Sequence, residues 1–337
     1  MTTARFEFAS DNTAGIAPEA LRALIDANSG AAAGYGDDIY CKRAGDLVRS
    51  LLDVDAPVYF LPTGTAANAL ALSAICGPHQ AVAAHAASHV VTGEAGAPGF
   101  IGSGLSLLAI PGSSGRLSAD ALRRQAMDSF TTSRQPLVAV SLALPTEYGV
   151  MYEPSQLNDL IAVAREHELS VHIDGARLAN AAAAGFDTTL PGQIGVSTLV
   201  LGGTKAGLPG SEALVLMDRR LDKHFTIRMK QSGHLMSKSR YLSAPWIGML
   251  ESGAWSVRSR HANNMARRLA DALPYRPVHP VDTNAVFLKL RDGHRKRLTQ
   301  TGWVHYQLAD GAARFLCSWS TTPDLVDDLA AAIIAAH

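Results

Sequence analysis

Short apolar runs alternate with longer helical repeats along most of this chain. Ala56–Leu61, Leu105–Ile110, Leu137–Leu144, Ser170–Asp174 and Val196–Gly202 are compact apolar stretches bounded by Gly, Pro or Ser. Such runs predict strands buried on both faces. Between them lie helix patterns: Ala20, Leu21, Leu24 and Ile25; Ala66 to Ile75; Ser118 to Met127, with Ser118 as N-cap; and Pro154 to Glu168, where Leu157, Leu160, Ile161 and Ala164 share a face. The recurring strand–helix–strand order predicts an α/β fold of three layers around a mostly parallel sheet with right-handed crossovers. Ser211–Met217 is the candidate for an antiparallel strand, and the glycines of 96–104 predict a loop or a close backbone approach. Tyr241 to Leu273 reads as one or two long helices, with Pro245 early and Pro274 ending the run. Beyond Pro274 the texture changes to short strands at Asp282–Leu290 and Gly311–Cys317 and a last helix from Pro323 to Ala336. That change suggests a large domain over 1–245 and a smaller α+β domain over 246–337.

Composition narrows the function classes. Of 337 residues, 47% are hydrophobic and 18% charged, so the core is large and some surface is expected to be buried between subunits. A net charge of zero supplies no basic field for nucleic acid or an anionic membrane. Three cysteines at wide spacing argue against a disulfide framework and a CxxC metal site. Met1 to Glu7 has no apolar core of a signal peptide, and no run reaches the length of a membrane span, so the expectation is a soluble cytoplasmic protein. No GxGxxG stands at a strand-to-helix corner, which disfavours a nicotinamide dehydrogenase.

Two strand ends carry the chemistry. One finishes Asp174-Gly175-Ala176-Arg177, and the next finishes Gly202-Gly203-Thr204-Lys205-Ala206-Gly207. Ligands of open α/β sheets bind beyond the carboxyl ends of strands, so an acid, an arginine and a lysine are expected at one edge. In pyridoxal phosphate enzymes a lysine binds the cofactor's aldehyde and an aspartate pairs with the pyridinium nitrogen. A lysine of ordinary pKa, about 10.4, is a poor nucleophile, and a dry pocket with a second cation would lower it. Taken alone, the two motifs also admit a plainer reading, two ordinary core strands with charged ends. Pro62-Thr63-Gly64-Thr65 then leads a strand into a helix, an arrangement in which Gly64 and Thr65 could receive a phosphate and Thr65 cap the helix. His85 and His89, four apart, could share a helix face as a zinc pair does, but no third ligand follows at metal spacing, so no metal is expected. Arg314 lies in an apolar run and needs a partner; a bidentate carboxylate would satisfy it, with Arg177 as its companion. The plain alternative is an edge strand with Arg314 in water.

Asp174-Gly175-Ala176-Arg177 with Gly203-Thr204-Lys205, the Pro-Thr-Gly-Thr-x-Ala-Asn stretch at 62–68 and the Gly34–Tyr40 loop resemble the low-specificity L-threonine aldolase group, in the β-eliminating lyase branch of fold-type I (aspartate-aminotransferase-like) pyridoxal enzymes. The resemblance covers most of the chain and is densest from Ser10 to Lys205. It implies pyridoxal 5'-phosphate on Lys205, Asp174 at the ring nitrogen and His89 stacked on the ring. It also implies Ser10, Arg177 and Arg314 at the substrate carboxylate. Tyr35 would come from a neighbouring subunit, and Lys238 or Arg240 would reach the phosphate across the interface of a homodimer or homotetramer with shared sites. The implied reaction is cleavage of L-β-hydroxy-α-amino acids of threonine, allo-threonine or phenylserine type to glycine and an aldehyde, with His85, His89 or a water they hold taking the β-hydroxyl proton. The turn at Thr146-Glu147-Tyr148-Gly149 has one of the family's forms, whereas a histidine that some members carry just before the preceding strand is missing from 128–135. A transaminase or β-eliminating lyase on the same scaffold, or a non-catalytic α/β binding protein in which Lys205 is only an ion-pair partner, are the alternatives.

Overall fold

A computed structural model describes residues 3–128, 133–308 and 310–336. Its helices are α1 (Pro18–Ala27), α2 (Ile39–Leu52), α3 (Gly64–Ile75), α4 (His89–Thr92), α5 (Ala97–Ile101), α6 (Ala119–Asp128), α7 (Pro154–Glu166), α8 (Leu178–Ala183), α9 (Leu190–Gln193), α10 (Phe225–Gln231), α11 (Arg240–Glu251), α12 (Ala254–Ala272), α13 (Asp292–Gln300) and α14 (Pro323–Ala335). Its strands are β1 (Val58–Leu61), β2 (Ala81–His85), β3 (Ser106–Ile110), β4 (Leu137–Ala143), β5 (Ser170–Gly175), β6 (Thr198–Gly202), β7 (Glu212–Leu216), β8 (Ala285–Leu288), β9 (Tyr306–Gln307) and β10 (Ala313–Leu316). Seven strands form one sheet in the order β1-β7-β6-β5-β4-β2-β3, and β7 alone runs antiparallel to its neighbours.

Alternation along each strand explains the three layers. Leu199 and Leu201 of β6 face a core shared with α2, α6, α7, α8 and α11, while Val200 between them faces α3 and α10. Ala213 and Val215 of β7 face the first side, and Leu214 and Leu216 the second. Because six strands are parallel, their carboxyl ends share one edge, where the candidate chemistry lies. A second sheet, β8-β10-β9, packs with α12 and α14 around Phe8, Leu269, Val286, Phe315 and Leu329.

Several expectations change in detail. The helical run after 240 breaks at Gly253, whose φ of +72° suits glycine, and Pro245 is absorbed inside α11. The 96–104 stretch contains the short helix α5. His85 and His89 do not share a helix: one ends β2 and the other begins α4, because the apolar run of β2 extends through 85. Thr63, not Thr65, caps α3, its hydroxyl accepting the Ala66 N–H at 3.1 Å. Arg314 sits on the central strand of the small sheet, not on an edge.

Candidate active site

Two adjoining cavities of about 160 and 260 Å³ open at the carboxyl edge of the large sheet. Both are lined by Asn12, His89, Asp174, Ala176 and Lys205. The first adds Ser10, Glu147, Arg177 and Arg314, and the second adds Gly64, Thr65, Thr204 and Glu212. Eight of the residues singled out in the sequence therefore converge from separate elements: Ser10, Gly64, Thr65, His89, Asp174, Arg177, Lys205 and Arg314.

Backbone packing sets the spacing of Asp174 and Lys205. An added Cβ on Gly202 would lie 2.1 Å from the Ala176 carbonyl oxygen, and one on Gly175 would lie 2.4 Å from that of Val200. Glycine at both places lets the ends of β5 and β6 close on each other. A single-turn 3-10 helix, Thr204–Ala206, then presents Lys205. Burial, with the Arg177 charge next, pushes the Lys205 pKa below its ordinary value, which favours the neutral, nucleophilic amine. At the far end, capping by Thr63 leaves the N–H groups of Gly64 and Thr65 in the first turn of α3 at the cavity wall, and the space in front of Gly64 is open to at least 4 Å. A desolvated lysine, a buried carboxylate and a helix N-terminus along one wall form a donor set that fits a pyridoxal phosphate: amine for aldehyde, Asp174 for ring nitrogen, N–H groups for phosphate.

Asn68 ties the polar groups together. Its Nδ2 donates to Asp174 Oδ2 at 3.1 Å and to Glu94 Oε1 at 2.9 Å, and its Oδ1 is 3.1 Å from His172 Nε2. Burial holds His172 neutral, with its pKa down to about 4, so Nε2–H donates to Asn68 while Nδ1 accepts from the Thr198 hydroxyl at 2.8 Å. Glu94 Oε1 also lies 3.2 Å from His89 Nδ1. One amide thus orients both Asp174 and, through Glu94, His89.

The arginines are less free than the sequence suggested. Arg177 is already paired: its Nε and Nη2 donate to Asp11 at 2.6 and 2.9 Å, leaving Nη1 for a ligand. The Asp11 side chain is fully buried, and burial alone would raise its pKa, yet Arg177, Lys205 and an Asn284 hydrogen bond outweigh that and lower it to about 2. Arg314 has a buried Nε without a hydrogen-bond partner among the described residues, over the Tyr306 ring at 5.3 Å. Ser10 caps the turn at Asp11–Thr13, accepting the Asn12 N–H at 3.2 Å, and also lines the cavity.

Four sequence candidates lie elsewhere in the chain. His85 is buried, its Nδ1 accepts the Ala87 N–H at 3.0 Å, and it lines neither cavity. Tyr35 lines a separate cavity of about 400 Å³, with Lys230 over its ring. Lys238 is exposed, and Arg240 donates to the Gly30 carbonyl oxygen at 3.0 Å. Sequence reasoning in turn passed over Asp11, Asn68, Glu94, Glu147 and Glu212, each inside a motif it had quoted or beside one. Glu212 accepts Gly203 N–H at 2.7 Å and the Thr204 hydroxyl at 2.6 Å, and burial raises it to about 7. The missing histidine concerned a stretch of which 129–132 lie outside the described residues. Among the described residues no cluster of three metal-ligating side chains exists.

Comparison with known proteins agrees with this geometry. The chain is 39% identical to the low specificity L-threonine aldolase of Pseudomonas sp. (strain NCIMB 10558), over 99% of both chains. It is 40% identical to that of Pseudomonas aeruginosa, over 98% of this chain and 97% of the relative. Among solved structures, a Leishmania major threonine aldolase superposes with a TM-score of 0.90 at 27% identity, covering 98% of each chain. The family model described as beta-eliminating lyase matches residues 7–293. With that match over most of its length and these two full-length relatives, the chain belongs to the β-eliminating lyase family, among the low-specificity L-threonine aldolases.

Proposed function

We propose that this protein is a pyridoxal-phosphate-dependent aldehyde-lyase that cleaves L-β-hydroxy-α-amino acids, threonine among them, to glycine and an aldehyde. The observation that carries it is the convergence of Lys205, Asp174, His89 and two arginines on one cavity edge, in a chain whose full-length relatives are threonine aldolases. When bound, the cofactor supplies an electron sink for the pair released at Cα. The residues do the rest. Lys205 is the attachment point, and its lowered pKa supports that role. Asp174, oriented by Asn68 and by the Ala176 N–H at 3.0 Å, would pair with the cofactor's ring nitrogen. The N–H groups of Gly64 and Thr65, in the first turn of α3 at the cavity wall, would receive the phosphate. Arg314 and the free Nη1 of Arg177, with Ser10 beside them, clamp the substrate carboxylate; one bidentate partner would satisfy the unpaired Arg314 Nε. Clamping the carboxylate fixes the rotation about N–Cα and so selects the bond that breaks.

An absorption spectrum with added cofactor and an aldehyde-release assay test this reading. Wild type should show a visible band and release aldehyde from threonine, and Lys205→Ala should lose both. Release of a keto acid in place of an aldehyde would move the protein to a transaminase.

We further infer a homodimer or homotetramer with shared sites. Tyr35 is 50% exposed, as are Ile39 at 71% and Ile227 at 53%, near the 400 Å³ cavity that Tyr35 lines, and Lys238 stands exposed on the same region. A second copy would cover this surface and bring Tyr35 and Lys238 toward its site. The cytoplasm is the compartment that suits three cysteines left unpaired by the fold. A division into a large and a small domain also stands as a proposal, supported by separate cores around β5–β6 and around β8–β10; the expected boundary at 245 falls inside α11, and Trp246, Met249 and Trp255 still pack in the large core, so the division belongs within α12, before Ala266.

A further inference from the structure

Cleavage requires a base for the β-hydroxyl proton, and the histidine expected to help is out of place. His85 lines neither cavity, and His89 has Nδ1 engaged by Glu94. Another group fits. Glu147 stands on the turn after β4 and lines the same cavity as Lys205, Arg177, Arg314 and Ser10. Its Oε1 accepts the His89 backbone N–H at 2.7 Å, which fixes the carboxyl plane, and its Oε2 is buried with no hydrogen-bond partner among the described residues. A buried carboxylate oxygen without a partner, beside the substrate cavity, is costly for stability and calls for a ligand.

We propose that Glu147 is the catalytic base that takes the substrate's β-hydroxyl proton, a role that rests on the aldolase reading above. Oε2 receives the proton and the O–H electron pair becomes the second bond of the aldehyde carbonyl. The Cα–Cβ bond breaks and its pair stays with Cα. Cα then gains a proton while Glu147 returns its own to water, so the substrate divides into aldehyde and glycine with nothing added or lost. The charge setting is consistent with proton exchange near neutrality. Burial, and next the Asp174 charge on β5, raise the Glu147 pKa to about 7, against the pull of His89 on α4. Arg177, Lys205 and Arg314 face the same cavity, and Tyr148 adjoins on the turn itself. The base form is the ionised one, so kcat/KM should rise with pH through about 7.

The test uses the cofactor-loaded enzyme and the variant Glu147→Gln, whose side-chain oxygen can still accept the His89 N–H. Three quantities are read: aldehyde release from threonine, exchange of the Cα proton of glycine with deuterated water, and cofactor affinity from the visible band. Only the first involves a β-hydroxyl. Aldehyde release should fall by roughly 100-fold or more, while glycine exchange and cofactor affinity stay within about threefold. The limb near pH 7 should vanish from the variant's residual cleavage and persist in Glu147→Asp at a reduced rate. Equal losses in cleavage and exchange would overturn the proposal in favour of a positioning role, and a loss under threefold would overturn it outright. A wild-type enzyme that exchanges glycine's proton but frees no aldehyde would instead show that the aldolase reading itself had failed.

Discussion

Asp11 should be worth more to this fold than any surface ion pair, and the amount can be worked from its titration. Its pKa is about 2 in the folded chain against an ordinary 3.8. At about 1.4 kcal/mol per pKa unit, the ionised form contributes about 2.5 kcal/mol to folding. The sign follows from a folded-state pKa below the unfolded one: the contribution is complete above about pH 4 and fades as pH falls toward 2. Asp11→Asn keeps the volume and an oxygen for one Arg177 bond but removes the charge. Breaking a buried pair costs about 3–5 kcal/mol when one partner is left bare, so the isosteric variant should fall near the 2.5 figure. Urea unfolding of both proteins should show a gap of about 2.5 kcal/mol at pH 7 and about half that at pH 3. A gap below about 0.5 kcal/mol, or one unchanged between the two pH values, would refute the reasoning. The variant also strips one carboxylate from those that hold Lys205 protonated, so Lys205 should titrate lower still.

Arg314→Ala should raise KM for the amino acid about tenfold or more, as expected for losing a charged hydrogen bond of about 1.5–3 kcal/mol, with cofactor affinity unchanged in an absorbance titration. Asn68→Ala would leave Asp174, Glu94 and His172 each short of a buried hydrogen bond; a loss of about 1–3 kcal/mol in denaturant stability and weaker cofactor binding are expected together. Thr63→Ala removes the cap of α3 and should cost about 1 kcal/mol by the same assay. In Gly202→Ala the new Cβ meets the Ala176 carbonyl, so strands β5 and β6 must part; about 1–3 kcal/mol of stability should be lost, and cofactor binding should suffer more than in Thr63→Ala.

The sheet was legible because β4 and β6 carry nearly continuous apolar runs, as strands buried on both faces do, while β5 alternates Val171 and Ile173 with polar residues, and each run ends at a glycine or polar corner. The strand expected over Ser211–Met217 is β7, and it does run antiparallel to both neighbours. Harder to read were β9, two exposed residues with no pattern, and α13, whose polar sequence DGHRKRLTQ hides its two inward positions, His294 and Leu298. The cap of α3 went to Thr63 because the helix begins at Gly64, two residues before the Ala66 start read from the sequence. Within the site, Lys205, Asp174 and Arg177 were visible since each is an ionisable group at or just past the end of an apolar run, and Arg314 because it interrupts one. Asp11 and Glu147 were not, because a turn rich in Ser, Asp and Thr reads as capping chemistry whether its carboxylate faces water or a guanidinium 166 positions away. Such partners are chosen by topology, which spacing along the chain does not encode.

That topology also divides the labour of the site in a way the motifs alone do not. The groups on the cofactor side, Asp174 and His89, are joined through Asn68 and Glu94, so neither side chain moves without the other. Those on the substrate side, Arg177 and Arg314, reach the cavity from different sheets, and Asp11 with Asn284 braces Arg177: Asn284 donates to Asp11 at 3.1 Å and to the Cys317 carbonyl oxygen at 2.8 Å, one residue past β10. The small sheet therefore reaches the substrate clamp through Asp11 as well as through Arg314. Movement of the small sheet relative to the large one would change the separation of the two guanidiniums and leave the Asp174–Asn68–Glu94–His89 chain untouched. Substrate affinity and cofactor affinity should accordingly respond to different substitutions, the first to Asn284→Ala and Arg314→Ala, the second to Asn68→Ala. Paired titrations of glycine and cofactor against these variants would show two separate groups, and a common loss across both ligands would refute the division.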